Sequence, residues 1–182
     1  MPRIIDHDAY RMELAAAAAT LFSKNGYSAL GMREIARELG LSKSALYHYF
    51  PSKKALFAAS SAVVTQGVAD AAEKLAQVPA TNLESRIELM RQLFDELTPG
   101  IADEVTLMMD YLRGRSPEEI AADESMQLAN TRYKALFEAL AGEAYGSAAY
   151  CLLLGALLQQ HFDGGQTTFA DIKPALELLL KT

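Results

Sequence analysis

Residues 28 to 50 read SALGMREIARELGLSKSALYHYF, and the reading of this stretch decides the fold. Met32, Ile35, Ala36 and Leu39 recur at helical spacing, which predicts a short helix over 32–39 with Gly31 as its cap. Gly40 accepts a left-handed backbone without a Cβ clash, so the chain can reverse there while Leu41 plugs the corner. Ser42 caps a second helix that continues from Lys43 to about Tyr49, and Pro51 ends it. Two short helices joined by a tight turn form a helix-turn-helix, whose second helix enters the DNA major groove.

Outward from this stretch, a preceding helix over about 8–24 places Tyr10, Leu14, Ala18, Leu21 and Phe22 on one face, and Gly26 ends it. Tyr27 and Leu30 should join Leu21, Phe22, Ile35, Leu39, Leu46 and Phe50 in a miniature core. A three-helix unit of this size buries too little apolar surface to be secure alone. Support is expected from a helix that Ser52 caps and that carries Leu56, Phe57, Ser60, Val63, Val64, Gly67, Ala71 and Leu75. About 24 residues at about 1.5 Å each make this a rod of roughly 36 Å. Pro79 and a capping box, Thr81-x-x-Glu84, mark the next change of element.

Further helices are predicted over 82–97, 101–113 after a Pro99-Gly100 break, and 116–142 behind the box Ser116-Pro117-x-Glu119, with an interruption near Asp123. Two more follow, over 147–162 and 169–181, the latter disturbed by Pro174. The expectation is an all-α chain of about nine helices. Residues 1–52 would form a three-helix DNA-binding domain and residues 53–182 a second, helical domain.

Composition narrows the function classes. A single cysteine, Cys151, excludes an intrachain disulfide and a multi-cysteine metal site. The longest apolar run, 148–158, is too short for a membrane span, and MPRIIDHDAY lacks a signal-peptide core, so a cytoplasmic protein without a membrane partner is expected. Net charge is −6, yet residues 1–60 hold eight basic against five acidic residues, and the remainder nine against eighteen. The basic excess therefore coincides with the helix-turn-helix, where phosphate affinity would need it. An enzyme finds no support: there is no Walker loop, dinucleotide fingerprint, His-Glu-x-x-His or nucleophile elbow. No cofactor and no metal are expected, because Cys151 and His161 read as packing residues of one helix.

Residues 10–57 resemble the DNA-binding domain of the tetracycline-repressor (TetR) family. Ala19, Leu21-Phe22, Gly26-Tyr27, Ile35-Ala36, Leu39-Gly40-Leu41-Ser42, Leu46-Tyr47, Tyr49-Phe50, Ser52-Lys53 and Leu56-Phe57 carry the resemblance. It implies a homodimer on a palindromic double-stranded operator, with a small-molecule effector entering the C-terminal domain to release DNA. It also implies that Tyr47 donates to phosphate and that His48 faces phosphate or a base. One departure is Gly31, where the family commonly has a threonine that caps the helix and touches phosphate.

Helix geometry adds Lys43, Ser44 and Ala45 as the turn that meets base edges, Lys43 donating to guanine and Ala45 touching a thymine methyl. Arg33 is expected at a base or the backbone. Lys53, at a helix start, is expected at phosphate. Tyr49 and Phe50 read as core. Candidate pocket residues are Met90, Phe94, Met108, Met109, Tyr111, Leu112, Tyr133 and Phe137, because Met and aromatic side chains make adaptable walls. The helix over 147–162 is apolar around most of its circumference, so it should be covered by a partner as well as by its own domain. The expected seam comprises Ala149, Leu152, Leu153, Ala156, Leu157, Gln160, Leu176, Leu179 and Leu180. The competing readings are a central core helix in a monomer and, for the whole chain, a helix-turn-helix interaction protein that no longer binds DNA.

Overall fold

Eleven α-helices make up the computed structural model, which describes residues 6–77 and 82–181. They are α1 (His7–Asn25), α2 (Met32–Glu38), α3 (Lys43–Tyr49), α4 (Lys53–Val64), α5 (Gln66–Gln77), α6 (Leu83–Leu97), α7 (Ile101–Leu112), α8 (Pro117–Ala121), α9 (Glu124–Ala141), α10 (Gly146–Phe162) and α11 (Phe169–Leu180). There is no strand among the described residues.

The rise from nine to eleven has two local causes. The expected rod over 52–75 is divided at Thr65, whose amide and hydroxyl both bond to the Ser61 carbonyl, at 2.9 and 2.8 Å. A side chain that competes for backbone acceptors ends a helix that hydrophobic periodicity alone would continue. The second division falls at Asp123, where an interruption was expected, and separates α8 from α9. Pro79 and Thr81 lie outside the described residues; Asn82 caps α6 by accepting from the Ser85 amide at 2.8 Å. The Ser116–Glu119 capping box forms as predicted.

The chain divides into two compact units. One comprises Met1–Gln66 with Asp103–Ala129, the other Gly67–Ala102 with Asn130–Thr182. In the first, α1 packs along α4, and the Ser60 hydroxyl donates to the Ala15 carbonyl at 2.8 Å in the buried contact. Ala15, Ala18, Phe22, Ile35, Leu46, Phe50, Leu56 and Phe57 form a continuous core. Tyr111 and Met126 also belong to it, so the helix-turn-helix borrows apolar surface from α7 and α9.

In the second unit α6, α10 and α11 pack together. Met90, Phe94, Phe137, Leu153, Leu157 and Leu176 are fully buried there, and Phe94 meets Phe169 edge-on at 5.8 Å. Gly146 lets α10 begin hard against α9: a Cβ there would lie 2.8 Å from the Glu138 side chain.

Candidate nucleic-acid interface

The turn between α2 and α3 forms as its residues require. Gly40 has φ +69°, and the Leu41 amide closes back onto the Ala36 carbonyl at 2.8 Å. Ser42 then caps α3, accepting from the Ala45 amide at 3.1 Å. Leu46 and Phe50 point into the core, and Arg11 of α1 lies over the Phe50 ring at 4.9 Å. With its inner face fixed, α3 must present the intervening residues outward.

Lys43, Ser44, Tyr47 and His48 are all exposed on that outer face, and Ala45 is half-buried beside them. The Lys43 ammonium lies 5.6 Å from the Tyr47 ring centroid, so the two form one polar and aromatic patch. The Ser44 hydroxyl is 3.0 Å from that of Ser42. Arg33 is exposed in the first turn of α2. Gly31 caps that helix without a side-chain hydrogen bond, and open space surrounds its Cβ position. Tyr49 is half-buried and Phe50 fully buried.

Lys53 departs from expectation. Its ammonium donates to the carbonyls of Tyr27 and Leu30, at 3.0 and 2.9 Å, and sits 4.3 Å from the Tyr27 ring centroid. Two carbonyls and a ring face occupy a charge that helix position alone assigned to phosphate.

The candidate pocket residues are spread over the two units. Met108, Met109, Tyr111 and Leu112 fall in the first unit, whereas Met90, Phe94, Tyr133 and Phe137 fall in the second. Met108 and Leu112 pack against the DNA-module core, Tyr111 is buried within it, and Met109 is exposed. The apolar stripe on α7 thus serves the DNA module's interior. Tyr111 stacks on Phe57 at 3.9 Å and meets Tyr27 edge-on at 4.9 Å.

Around Tyr111 lies a polar clasp that residue spacing did not reveal. The carboxylate of Asp123, whose side chain is wholly buried, accepts from the Tyr111 hydroxyl at 2.8 Å and from Arg115 at 2.8 Å. Lys54 of α4 lies 3.3 Å away, and the Ser125 and Met126 amides bond the other oxygen at 3.0 and 3.3 Å. Burial pushes the Asp123 carboxyl up, but these donors together outweigh it and hold the group at about 2. Burial and then the bond to Asp123 push the Tyr111 hydroxyl up. Beside it, Asp110 accepts from the Ser28 amide at 2.6 Å, and that backbone bond lowers its carboxyl. A capping signal before Glu124 could have located Asp123; nothing local could have predicted its burial.

In the second unit, an open pocket of about 340 Å³ is lined by Thr98, Ile101, Leu157, Gln160, His161 and the Gly164-Gly165 backbone. The expected dimer residues Ala149, Leu153, Ala156, Leu157, Leu176 and Leu180 are buried within a single chain. Leu152, Gln160 and Leu179 are half-buried. The outward stripe of α10 is instead Ala148, Cys151, Gly155, Leu158 and Phe162, at alternating spacings of three and four, and Phe162 is 75% exposed. On α11, Ala175 and Leu178 are exposed, Leu178 at 74%. The all-round apolarity of α10 was real, but its circumference is divided the other way. Among the described residues no group of three or more His, Cys, Asp or Glu could hold a metal ion, and no single helix is long and apolar enough to cross a membrane.

A helix-turn-helix with an outward cationic and aromatic patch, set in an all-helical chain, defines the class of helix-turn-helix regulator folds. Residues 14–60 match the model for bacterial regulatory proteins of the tetR family. The HTH-type transcriptional regulator PksA of Bacillus subtilis is 36% identical over 76 residues, which are 42% of this chain and 37% of that protein. The chain thus spans little more than a third of that relative's length. A transcriptional regulator from Pseudomonas aeruginosa PAO1, described as putative, shares the fold with a TM-score of 0.72 at 17% identity, covering 98% of this chain and 91% of that one. FadR from Bacillus subtilis, solved in complex with stearoyl-CoA, has a TM-score of 0.67 at 16% identity, covering 93% of this chain and 97% of that one.

Proposed function

We propose that the chain is a ligand-responsive transcriptional regulator, not an enzyme, that binds a palindromic operator as a homodimer and acts in the cytoplasm as a repressor released by a small molecule. The observation that carries this reading is the outward row Lys43, Ser44, Tyr47 and His48 on a helix whose opposite face is locked into the core. Lys43 and Ala45 read bases, while Tyr47, His48 and Arg33 engage phosphate or adjoining base edges. Gly31 supplies no hydroxyl to the backbone contact.

The homodimer forms on the outward stripes of α10 and α11, Ala148, Cys151, Gly155, Leu158 and Phe162 with Ala175 and Leu178. Phe162 and Leu178, large and exposed, are most simply covered by the same groups on a second copy. The stearoyl-CoA bound to FadR supports small-molecule control. The effector occupies the second unit, where the pocket between Thr98 and His161 offers apolar walls with a few hydrogen-bonding groups. Release requires that effector to prefer the non-binding arrangement.

Selection of operator sites from random duplex DNA by the purified chain tests the reading. The expected product is a two-fold symmetric site whose affinity falls steeply with salt. Absence of any enrichment at low salt leaves an interaction protein that has kept the fold without the DNA.

A further inference from the structure

His7 lies outside the 14–60 stretch that carries the family match, yet its imidazole is tied to the recognition helix. Its Nδ1 is 3.2 Å from the Tyr49 hydroxyl, across 42 positions of sequence. Tyr10, one turn further along α1, meets the Tyr49 ring edge-on at 5.5 Å, and His48 meets it edge-on at 5.3 Å. The first turn of α1 and the last turn of α3 therefore share one ring cluster, next to the outward row. His7 itself is exposed.

We infer that His7 is a further DNA-contacting residue: it holds the end of α3 through Tyr49 and, when protonated, presents a positive charge to the phosphate backbone. Operator affinity then rises as pH falls. The inference rests on the operator-binding reading above.

The chemistry of the bond permits this. A phenol has one proton, and an imidazole nitrogen can accept or donate. In the neutral ring, the Tyr49 hydroxyl donates to Nδ1 and the ring proton sits on Nε2. In the protonated ring, Nδ1–H donates to the Tyr49 oxygen and Nε2–H is retained. The tie to α3 thus survives protonation, and the charge is gained without releasing the helix. An imidazole is the side chain whose charge changes between about pH 5 and pH 8, and a neighbouring polyanion draws it towards the charged form. Among the described residues, its charged and titratable neighbours are Asp6 and Asp8 beside it in sequence, Tyr10 and Arg11 further along α1, and Tyr49, with His48 behind it, on α3. Asp6 is engaged as the cap of α1, accepting from the Asp8 and Ala9 amides at 3.0 and 3.1 Å.

The test uses the full chain and the duplex recovered by selection, titrated by fluorescence anisotropy at about pH 6 and about pH 8 over a series of KCl concentrations. The wild type should bind roughly threefold to tenfold tighter at the lower pH, with a salt dependence steeper by about one phosphate contact. In His7→Gln, which can still bond Tyr49, the affinity ratio between the two pH values should fall, and it should fall by the same factor when the substitution is made in a His48→Gln background. Thermal melts at both pH values establish that each variant is folded. As an independent readout, the NMR titration midpoint of the His7 ring should move upward when duplex is added.

Wild-type binding that is equal at the two pH values, a His7→Gln ratio equal to that of the wild type, or a ratio lost only in His48→Gln overturns the inference while operator binding stands. Equal weakening of His7→Gln at both pH values assigns His7 a structural role only and overturns it too. A folded wild type that binds no duplex even at low salt overturns both readings together.

Discussion

Lys43 and Lys53 each open a helix directly after a capping serine, yet they meet opposite surroundings. Lys43 projects from α3 beside the Tyr47 ring, while Lys53 gives its protons to two loop carbonyls and covers the Tyr27 ring. The same contrast runs through the regions they belong to. On the outer face of α3 the polar groups are exposed and their hydrogen-bonding capacity faces solvent. In the clasp, the buried Asp123 carboxylate is matched by donors from Tyr111, Arg115, Lys54 and two backbone amides. Groups satisfied internally determine where helices sit, and groups left outward are the ones that can select a partner.

Breaking the clasp should have the largest effect. Asp123→Ala leaves Lys54, Arg115 and the Tyr111 hydroxyl without their shared acceptor, and a loss of about 3 kcal/mol in denaturant unfolding is expected. The clasp also carries a pH signature. Its carboxyl titrates at about 2 when folded, against 3.8 ordinarily. The unfolded chain therefore takes up the proton first as pH falls. The stabilisation is complete above the ordinary value and is lost, by about 2 kcal/mol, as pH falls to the folded one. Unfolding curves from pH 5 down to pH 2 should show this acid limb in the wild type and lack it in Asp123→Asn.

Opening the contrast from the other side, Lys43→Ala should leave stability intact and relax base preference by roughly 1 to 3 kcal/mol at one operator position. Unchanged affinity for all base variants of the selected site would remove Lys43 from the recognition surface. Lys53→Ala should do the reverse, costing about 1 to 2 kcal/mol of stability while the salt slope of DNA binding stays constant. A slope reduced by about one would return Lys53 to the phosphate contacts. The smallest change sharpens the outer face: Gly31→Thr has open space for its side chain and should add a few tenths of a kcal/mol through a better cap. Its diagnostic readout is a gain in affinity for all duplex sequences.

The helix-turn-helix was legible because its signals are local. Gly40 has to turn the chain, Ser42 and Ser52 have to cap, and Leu46 and Phe50 recur on one face. The capping box at Ser116 and the break near Asp123 belong to the same class. The clasp was not legible because Asp110 and Ser28, or Asp123 and Lys54, meet only after folding, and no spacing rule connects them. Tyr111 sits in a Met and aromatic stripe that fits a ligand wall and an interior equally well; the difference lies in which unit it faces. Apolar residues all round α10 likewise announce two buried faces without saying which is buried by the chain itself. Lys53 shows the limit most plainly, since helix position predicted its charge and the loop of Tyr27 and Leu30 decided its use.

The ring stack in the clasp has an optical consequence. The chain contains no tryptophan and eight tyrosines, so tyrosine dominates its near-ultraviolet absorption and emission. Tyr27 and Tyr111 stand edge-on beside Phe57, in a rigid and asymmetric setting. Their near-ultraviolet circular dichroism is a built-in label for the base of the DNA module, and it needs no attached dye. Any operator or small molecule that disturbs this corner can be followed by the protein's own spectrum.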